Sequence, residues 1–371
     1  MKNNIWKYFL ITDLSSKVIT VFKDIFLGIY FLKITDGNII KVSLFYITFF
    51  LSYILFFYII NKVAKSNLLK IFRMGLFLNL IQCLILLISG KYISNYIISF
   101  AVLSSIANAF YYYPQQMLIK RLNNDDNFNT YFTINKILKD IIKLIFPTIL
   151  GFCITNGSYS LAFFILTSIT FISFILSFAI KGFNLEASKI NLSYFFSNIK
   201  KNNKKKQMMY MTFRSAFRSL SSFGVIQTLI TLLTFYIVSN EFSLGKVNSF
   251  VTVISMVVIY VFNKCIKKET RSKLFLPIAI IQSFVIIGLT ICMIYGNINT
   301  NVVILTTSIN LGLLLMLVYN IVNGVSNPIF EVTNEIIYYD YMSKQNISIE
   351  DEPNYFFYFE IIGNISRSLD I

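Results

Sequence analysis

The feature that constrains this chain most is the recurrence of apolar stretches about 20 residues long, separated by short polar connections. About 20 apolar residues of α-helix cross the hydrocarbon core of a bilayer, and a lipid-exposed backbone there must be helix or closed barrel. Ten such stretches can be read, at about 12–34, 41–61, 70–90, 94–117, 134–156, 158–181, 208–238, 245–263, 273–295 and 301–323. The first is interrupted by Lys17, Lys23 and Asp24. A polar, acidic segment follows the tenth, and an eleventh helix starts near Asn354. The composition agrees: 56% of the 371 residues are hydrophobic and 13% charged, where a soluble domain carries about 25% charged residues. The expected fold is an all-α polytopic membrane protein.

The connections alternate in charge. Basic residues follow stretch two (Lys62, Lys65, Lys70, Arg73), stretch four (Lys120, Arg121), stretch six (Lys189, Lys200, Lys201, Lys204, Lys205, Lys206) and stretch eight (Lys264, Lys267, Lys268, Arg271, Lys273). The opposite connections carry few, chiefly Lys41, Lys91 and Lys246. Lysine and arginine collect in cytoplasmic loops. The rule places the N-terminus, with Lys2 and Lys7, in the cytoplasm of a multi-pass protein of the cell membrane, and it accounts for the net charge of +16 without a nucleic-acid partner. The first helix is expected to serve as an uncleaved targeting signal.

The chain has no histidine, which excludes Ser-His-Asp and Cys-His catalysis and His-ligated zinc. Cys83, Cys153, Cys265 and Cys292 are far apart and read as small apolar helix residues, not as a metal or disulfide framework. No Gly-rich phosphate loop is present, so no ATP-driven pump lies within the chain. Asn123-Asn124-Asp125-Asp126-Asn127 reads as a polar loop. A membrane transferase would need a constellation at the water boundary that this sequence lacks. No enzyme activity, cofactor or metal site is expected.

The two halves resemble each other. Tyr58-Ile-Ile-Asn61-Lys62-Val-Ala-Lys65 and Tyr260-Val-Phe-Asn263-Lys264-Cys-Ile-Lys267 share the pattern Y-apolar-apolar-N-K-x-apolar-K. Leu14-Ser15-Ser16 matches Leu220-Ser221-Ser222, Pro114 matches Pro328, and Tyr131-Phe132 matches Tyr355-Phe356, all in the same order. Two halves in one orientation, joined by a basic loop, form the parallel-repeat plan of one transporter class. On these residues the chain resembles the major facilitator superfamily. The loop after stretch two, from Phe57 through Asn61, Lys62 and Lys65, resembles that family's G-x-x-x-D-R/K-x-G-R/K motif with its basic positions kept and its Asp and both Gly replaced. Glu360-Ile-Ile-Gly-Asn364-Ile-Ser-Arg367 resembles the E-x-x-x-N-x-G-R stretch of a Firmicute branch, with Ser366 in place of Gly. The resemblance implies two six-helix bundles: residues 1–183, a basic cytoplasmic loop 184–207, and a second bundle 208–371 that holds helices 7–10 and the start of 11. Against a twelve-helix plan the second bundle is incomplete.

Charge inside a span costs about 2.5–3.5 kcal/mol at the helix centre and marks candidate sites. Lys23 and Asp24 are adjacent and point about 100° apart on an α-helix. Arg214 and Arg218 lie one turn apart, as an anion clamp or as interfacial anchors. Lys136, Lys139, Asp140 and Lys143 recur at helical spacing. The resemblance, in which helices 1, 4, 7 and 10 line the solute path, nominates Asn108, Tyr112, Gln115, Gln227, Asn310, Tyr319 and Asn320. For a gate it nominates Asn61, Lys62, Lys65, Asn263, Lys264, Lys267, Glu360 and Arg367, with Glu360 paired to the first-half basic cluster. The expected function is secondary transport of a small solute by alternating access, coupled to H+ or Na+, by a monomer if the chain is complete. A polysaccharide or lipid flippase and a truncated, non-transporting remnant are the alternatives.

Overall fold

The computed structural model describes residues 5–63, 68–122, 128–180, 196–197, 205–222, 225–265, 272–295, 301–304, 307–344 and 352–369. The helices in chain order are α1 (Ile5–Phe22), α2 (Gly28–Ile34), α3 (Ile39–Val63), α4 (Leu68–Ser89), α5 (Ile97–Leu122), α6 (Phe128–Asn156) and α7 (Tyr159–Ser177). They are followed by α8 (Lys205–Ser222), α9 (Val225–Val238), α10 (Glu241–Cys265), α11 (Phe275–Tyr295), α12 (Leu311–Lys344) and α13 (Glu352–Leu369). A π-helical turn, Lys23–Leu27, joins α1 to α2. Among the described residues, Ile39–Ile60, Leu68–Gln115, Tyr159–Ser177 and Glu241–Phe262 are long and apolar enough to cross a membrane. Their outward faces stay apolar: Ile40 is 72% and Ile88 80% exposed. Such faces are covered by lipid, not by water.

Contacts group the chain into two units. The first comprises 1–142, 156–230 and 348–371. Its core stacks aromatic side chains: Phe57 lies 5.4 Å from Tyr113 and 5.5 Å from Phe357, ring centre to ring centre. Helices α4 and α5 meet backbone to backbone, since a Cβ on Gly75 would lie 2.6 Å from the Phe110 carbonyl carbon. Arg73 donates to the carbonyls of Ser177 (3.3 Å) and Ile180 (2.8 Å). It therefore satisfies carbonyls at the C-terminal end of α7, where a cation is favoured. The turn from α2 into α3 uses Gly37 at φ 79°, and Asn38 Oδ1 accepts the Lys41 N–H at 3.1 Å, an N-cap for α3.

The second unit comprises 143–155 and 231–347. Here α6 and α10 cross through paired glycines. A Cβ on Gly151 would meet the Glu241 carbonyl, and one on Gly245 the Pro147 carbonyl. The Thr148 and Ser249 hydroxyls share a 2.8 Å hydrogen bond, and Thr155 Oγ1 accepts the Phe242 N–H at 3.1 Å. Small residues and hydroxyls are what helix contacts in lipid are built from. Gly324 of α12 repeats the device against Val251 of α10, and Ser255 Oγ donates to the Gly324 carbonyl at 3.0 Å.

Three boundaries differ from those read in the sequence. α1 starts at Ile5, a full seven residues before the apolar stretch, because Tyr8, Phe9 and Leu10 extend its packed surface. The stretch read at 208–238 begins three residues earlier, at Lys205. The expected helix at 301–323 instead begins as a hairpin, β1 (Asn301–Ile304) and β2 (Thr307–Asn310), with Asn301 opposite Asn310. β-Branched Val302, Val303, Ile304, Thr307 and Ile309 favour strand there. α12 then runs 34 residues, through Pro328 and across the segment expected to be polar loop.

Candidate functional site

The polar side chains of the first unit converge on α1. Asp13 is 2% exposed. Its Oδ2 receives the Lys139 ammonium at 2.6 Å and the Asn135 amide at 2.8 Å. Its Oδ1 receives the Tyr111 hydroxyl at 3.2 Å and the Gln115 amide. Tyr111 and Gln115 are one turn apart on α5, and Asn135 and Lys139 one turn apart on α6, so each helix presents a pair to the carboxylate. A buried charge needs a counter-charge and filled lone pairs, and this one has both. The cluster fastens α1 to α5 and α6.

Lys23 and Asp24 open the π-helical turn. Such turns are rare and recur at functional sites. Lys23 is half-buried and Asp24 exposed on the protein surface. Lys23 acts electrostatically on Cys83 of α4, and Asp24 on Tyr112 of α5. The Thr20 hydroxyl, one turn before Asp24, donates to the Ser16 carbonyl at 2.9 Å.

Glu360, Asn364 and Arg367 share one face of α13. The Asn364 amide donates to the Glu360 carbonyl (2.8 Å) and carboxylate (3.3 Å), and Arg367 donates to Asn364 Oδ1 at 3.2 Å. Glu360 faces Tyr53 of α3 and lies in electrostatic reach of Tyr112. Arg367 lies 5.9 Å from the Phe50 ring centre. Among the described residues Glu360 makes no ion pair with a first-half lysine or arginine.

The remaining candidates are scattered. Asn108 is half-buried on α5. Arg214 is 8% exposed and donates to Met211 Sδ at 3.6 Å, so it turns inward. In the second unit Tyr319 is buried, and Asn320 donates to the Met316 carbonyl of its own helix at 2.8 Å. Lys264 is exposed, 6.0 Å from the Tyr260 ring centre. The side chains of Asn61, Lys62, Arg218, Gln227, Asn263 and Asn310, and all of Lys65 and Lys267, lie outside the described residues, as does the Asn123–Asn127 loop.

Asp13, Tyr111 and Asn135 were not singled out in the sequence. The signal was present once α1 is extended to Ile5: Asp13, Lys17, Thr20 and Asp24 recur at the helical period. With the helix started at residue 12, Asp13 reads as an ordinary end residue.

Comparison with known proteins follows the same lines. No curated protein is similar in sequence. The fold is similar to the crystal structure of the nucleoside transporter NupG, at 12% identity and TM-score 0.67, covering 99% of this chain and 89% of that one. It is also similar to a bacterial homologue of the iron transporter ferroportin in an inward-facing state, at 12% identity and TM-score 0.61, covering 100% and 98%. The family model of the Major Facilitator Superfamily matches residues 14–332, a span that takes in α1 from Leu14 onward, the π-turn and most of α12. The chain belongs to the major facilitator superfamily.

Proposed function

We propose that the protein is a secondary transporter that moves a small solute by alternating access, with residues 1–183 and 208–371 as the moving bodies and 184–207 as their cytoplasmic connection. Membership of the superfamily supports transport, and nothing in the sequence supports an enzyme. The observation that carries the site assignment is Asp24, an exposed carboxylate on the π-turn between α1 and α2, inside the apolar stretch 12–34 of the sequence. An ionisable group at that depth faces a water-filled path or a partner. Tyr112 and Asn108 on α5 belong to the same path in this reading. Gln115 does not, because its amide is committed to Asp13. Coupling to H+ or Na+ would pass through Asp24. The basic connections support a cytoplasmic N-terminus in the cell membrane. The nucleosides and iron in the names of the two similar structures come with 12% identity, which carries the fold and not the cargo.

Solute counterflow in proteoliposomes, run across sugars, amino acids, nucleosides and cations, tests this. Flux of one class, abolished by Asp24→Asn in protein that still elutes as a folded species, is the expected result. Flux untouched by that substitution would remove Asp24 from the path, and no flux for any class would remove the transport reading.

A further inference from the structure

The face that α8 turns away from the protein carries a pattern that the solute path does not use. Met208, Met211 and Arg214 are buried. The Thr212 and Tyr358 hydroxyls share a 3.0 Å hydrogen bond, and a Cβ on Gly363 would lie 2.8 Å from Ser219 Oγ. These contacts with α13 fix the rotation of α8 about its axis. Lys206, Met209, Tyr210 and Phe213 are thereby left outside, the last three at 58%, 62% and 57% exposure. Their spacing is i, i+3, i+4, i+7, one continuous stripe.

The stripe is graded. From Lys206 the rise along the helix puts Tyr210 about 6 Å and Phe213 about 10 Å further on. A cation, then an amphipathic ring, then an apolar ring is the order of headgroup, interface and acyl chain. The charge is lopsided as well. Five lysines fall between 200 and 206, and from 187 to 240 the chain has no acidic residue.

We propose that the first two turns of α8 form a binding site for an anionic phospholipid. Lys206, at the end of the lysine run, takes the headgroup phosphate, and Tyr210 and Phe213 lie along the glycerol and upper acyl chain. The occupant is a lipid and not a free anion because the apolar stripe continues directly from the cation. It is an anionic lipid because a zwitterionic headgroup would leave the lysine run uncompensated. A basic segment beside a membrane helix gains about 1 kcal/mol per lysine from an anionic surface, or about fivefold in affinity.

The test uses the full chain in neutral detergent, titrated with phosphatidylglycerol, phosphatidylcholine or inorganic phosphate, with bound lipid counted by native mass spectrometry. Phosphatidylglycerol is expected to be retained in preference to phosphatidylcholine. Lys206→Gln should weaken it about fivefold, while Lys206→Arg keeps it and Lys41→Gln, on exposed α3 surface, leaves it unchanged. Tyr210→Ser should weaken retention without abolishing the preference for the anionic lipid. Equal retention of both lipids, displacement of phosphatidylglycerol by inorganic phosphate, or an equal effect of Lys206→Gln and Lys41→Gln would each overturn the proposal. The result does not depend on whether a transported solute has been found.

Discussion

Lys139→Ala is the most informative single change in the first unit. It removes the ammonium that lies 2.6 Å from the Asp13 carboxylate, 2% exposed, and leaves the Asn135, Tyr111 and Gln115 donors in place. Removing one member of a buried ion pair costs about 3–5 kcal/mol, most of it the burden of the stranded charge. Lys139 is 28% exposed, so water reaches its end of the pair and the lower figure, about 3 kcal/mol, applies. At about 2–4 °C per kcal/mol for a unit of this size, the loss is roughly 6–12 °C in unfolding temperature. Thermal unfolding of the detergent-solubilised protein, followed by the fraction that still elutes as a monodisperse peak, measures it. The double variant Asp13→Asn with Lys139→Gln removes both charges and keeps the shape, and should recover most of the loss. A Lys139→Ala shift below about 2 °C would match an exposed pair worth at most about 1 kcal/mol, and the clamp between α1, α5 and α6 would have to be abandoned. So would a double variant no better than the single one.

The other predictions concern packing. Gly151→Ala pushes a methyl into the Glu241 carbonyl and to 3.1 Å from the Phe242 Cα. Both are backbone, so the same thermal assay should show about 1–3 kcal/mol of destabilisation. Gly288→Ala, with nothing within 4 Å of the new Cβ, should be stabilising by about 0.5–1 kcal/mol through helix propensity. Reversal of that order would discredit the α6–α10 crossing. Thr212→Val removes a hydrogen bond to the Tyr358 hydroxyl and one to the Met208 carbonyl and should cost about 1 kcal/mol or more; the cost of Tyr358→Phe should be smaller in that background than alone, because the bond between the two hydroxyls is already gone.

What could be read ahead of the structure, and what could not, divides along physical lines. The apolar stretches marked helices because length and hydropathy are local properties, and the resemblance to a transporter family rested on order and spacing along the whole chain. The Asp13 clamp was invisible because its four donors come from positions 111, 115, 135 and 139, and only packing reveals that these meet. Arg214 illustrates the same limit: its spacing suits an anchor and a clamp equally, and the rotation of α8 decides that it points inward. The hairpin at 301–310 was read as helix because apolar count says nothing of β-branching, which is what sets the strand there. The π-turn at Lys23–Leu27 has no sequence signature beyond two charges where none is expected.

The length of α12 has a mechanical corollary. Its 34 residues make a rod about 51 Å long, of which the apolar part, Leu314–Phe330, covers about 25 Å. The hydrocarbon layer is about 30 Å thick, so roughly 15–20 Å of helix stands clear of the lipid beyond Phe330. The projecting end is a lever. A 15° change of tilt about the middle of the apolar part, well inside the range membrane helices adopt, displaces the tip, about 33 Å away, by about 9 Å while the buried fulcrum scarcely moves. A spin label at Lys344 would therefore register a rocking of α12 that a label at Tyr319, near the middle of the apolar part, would miss.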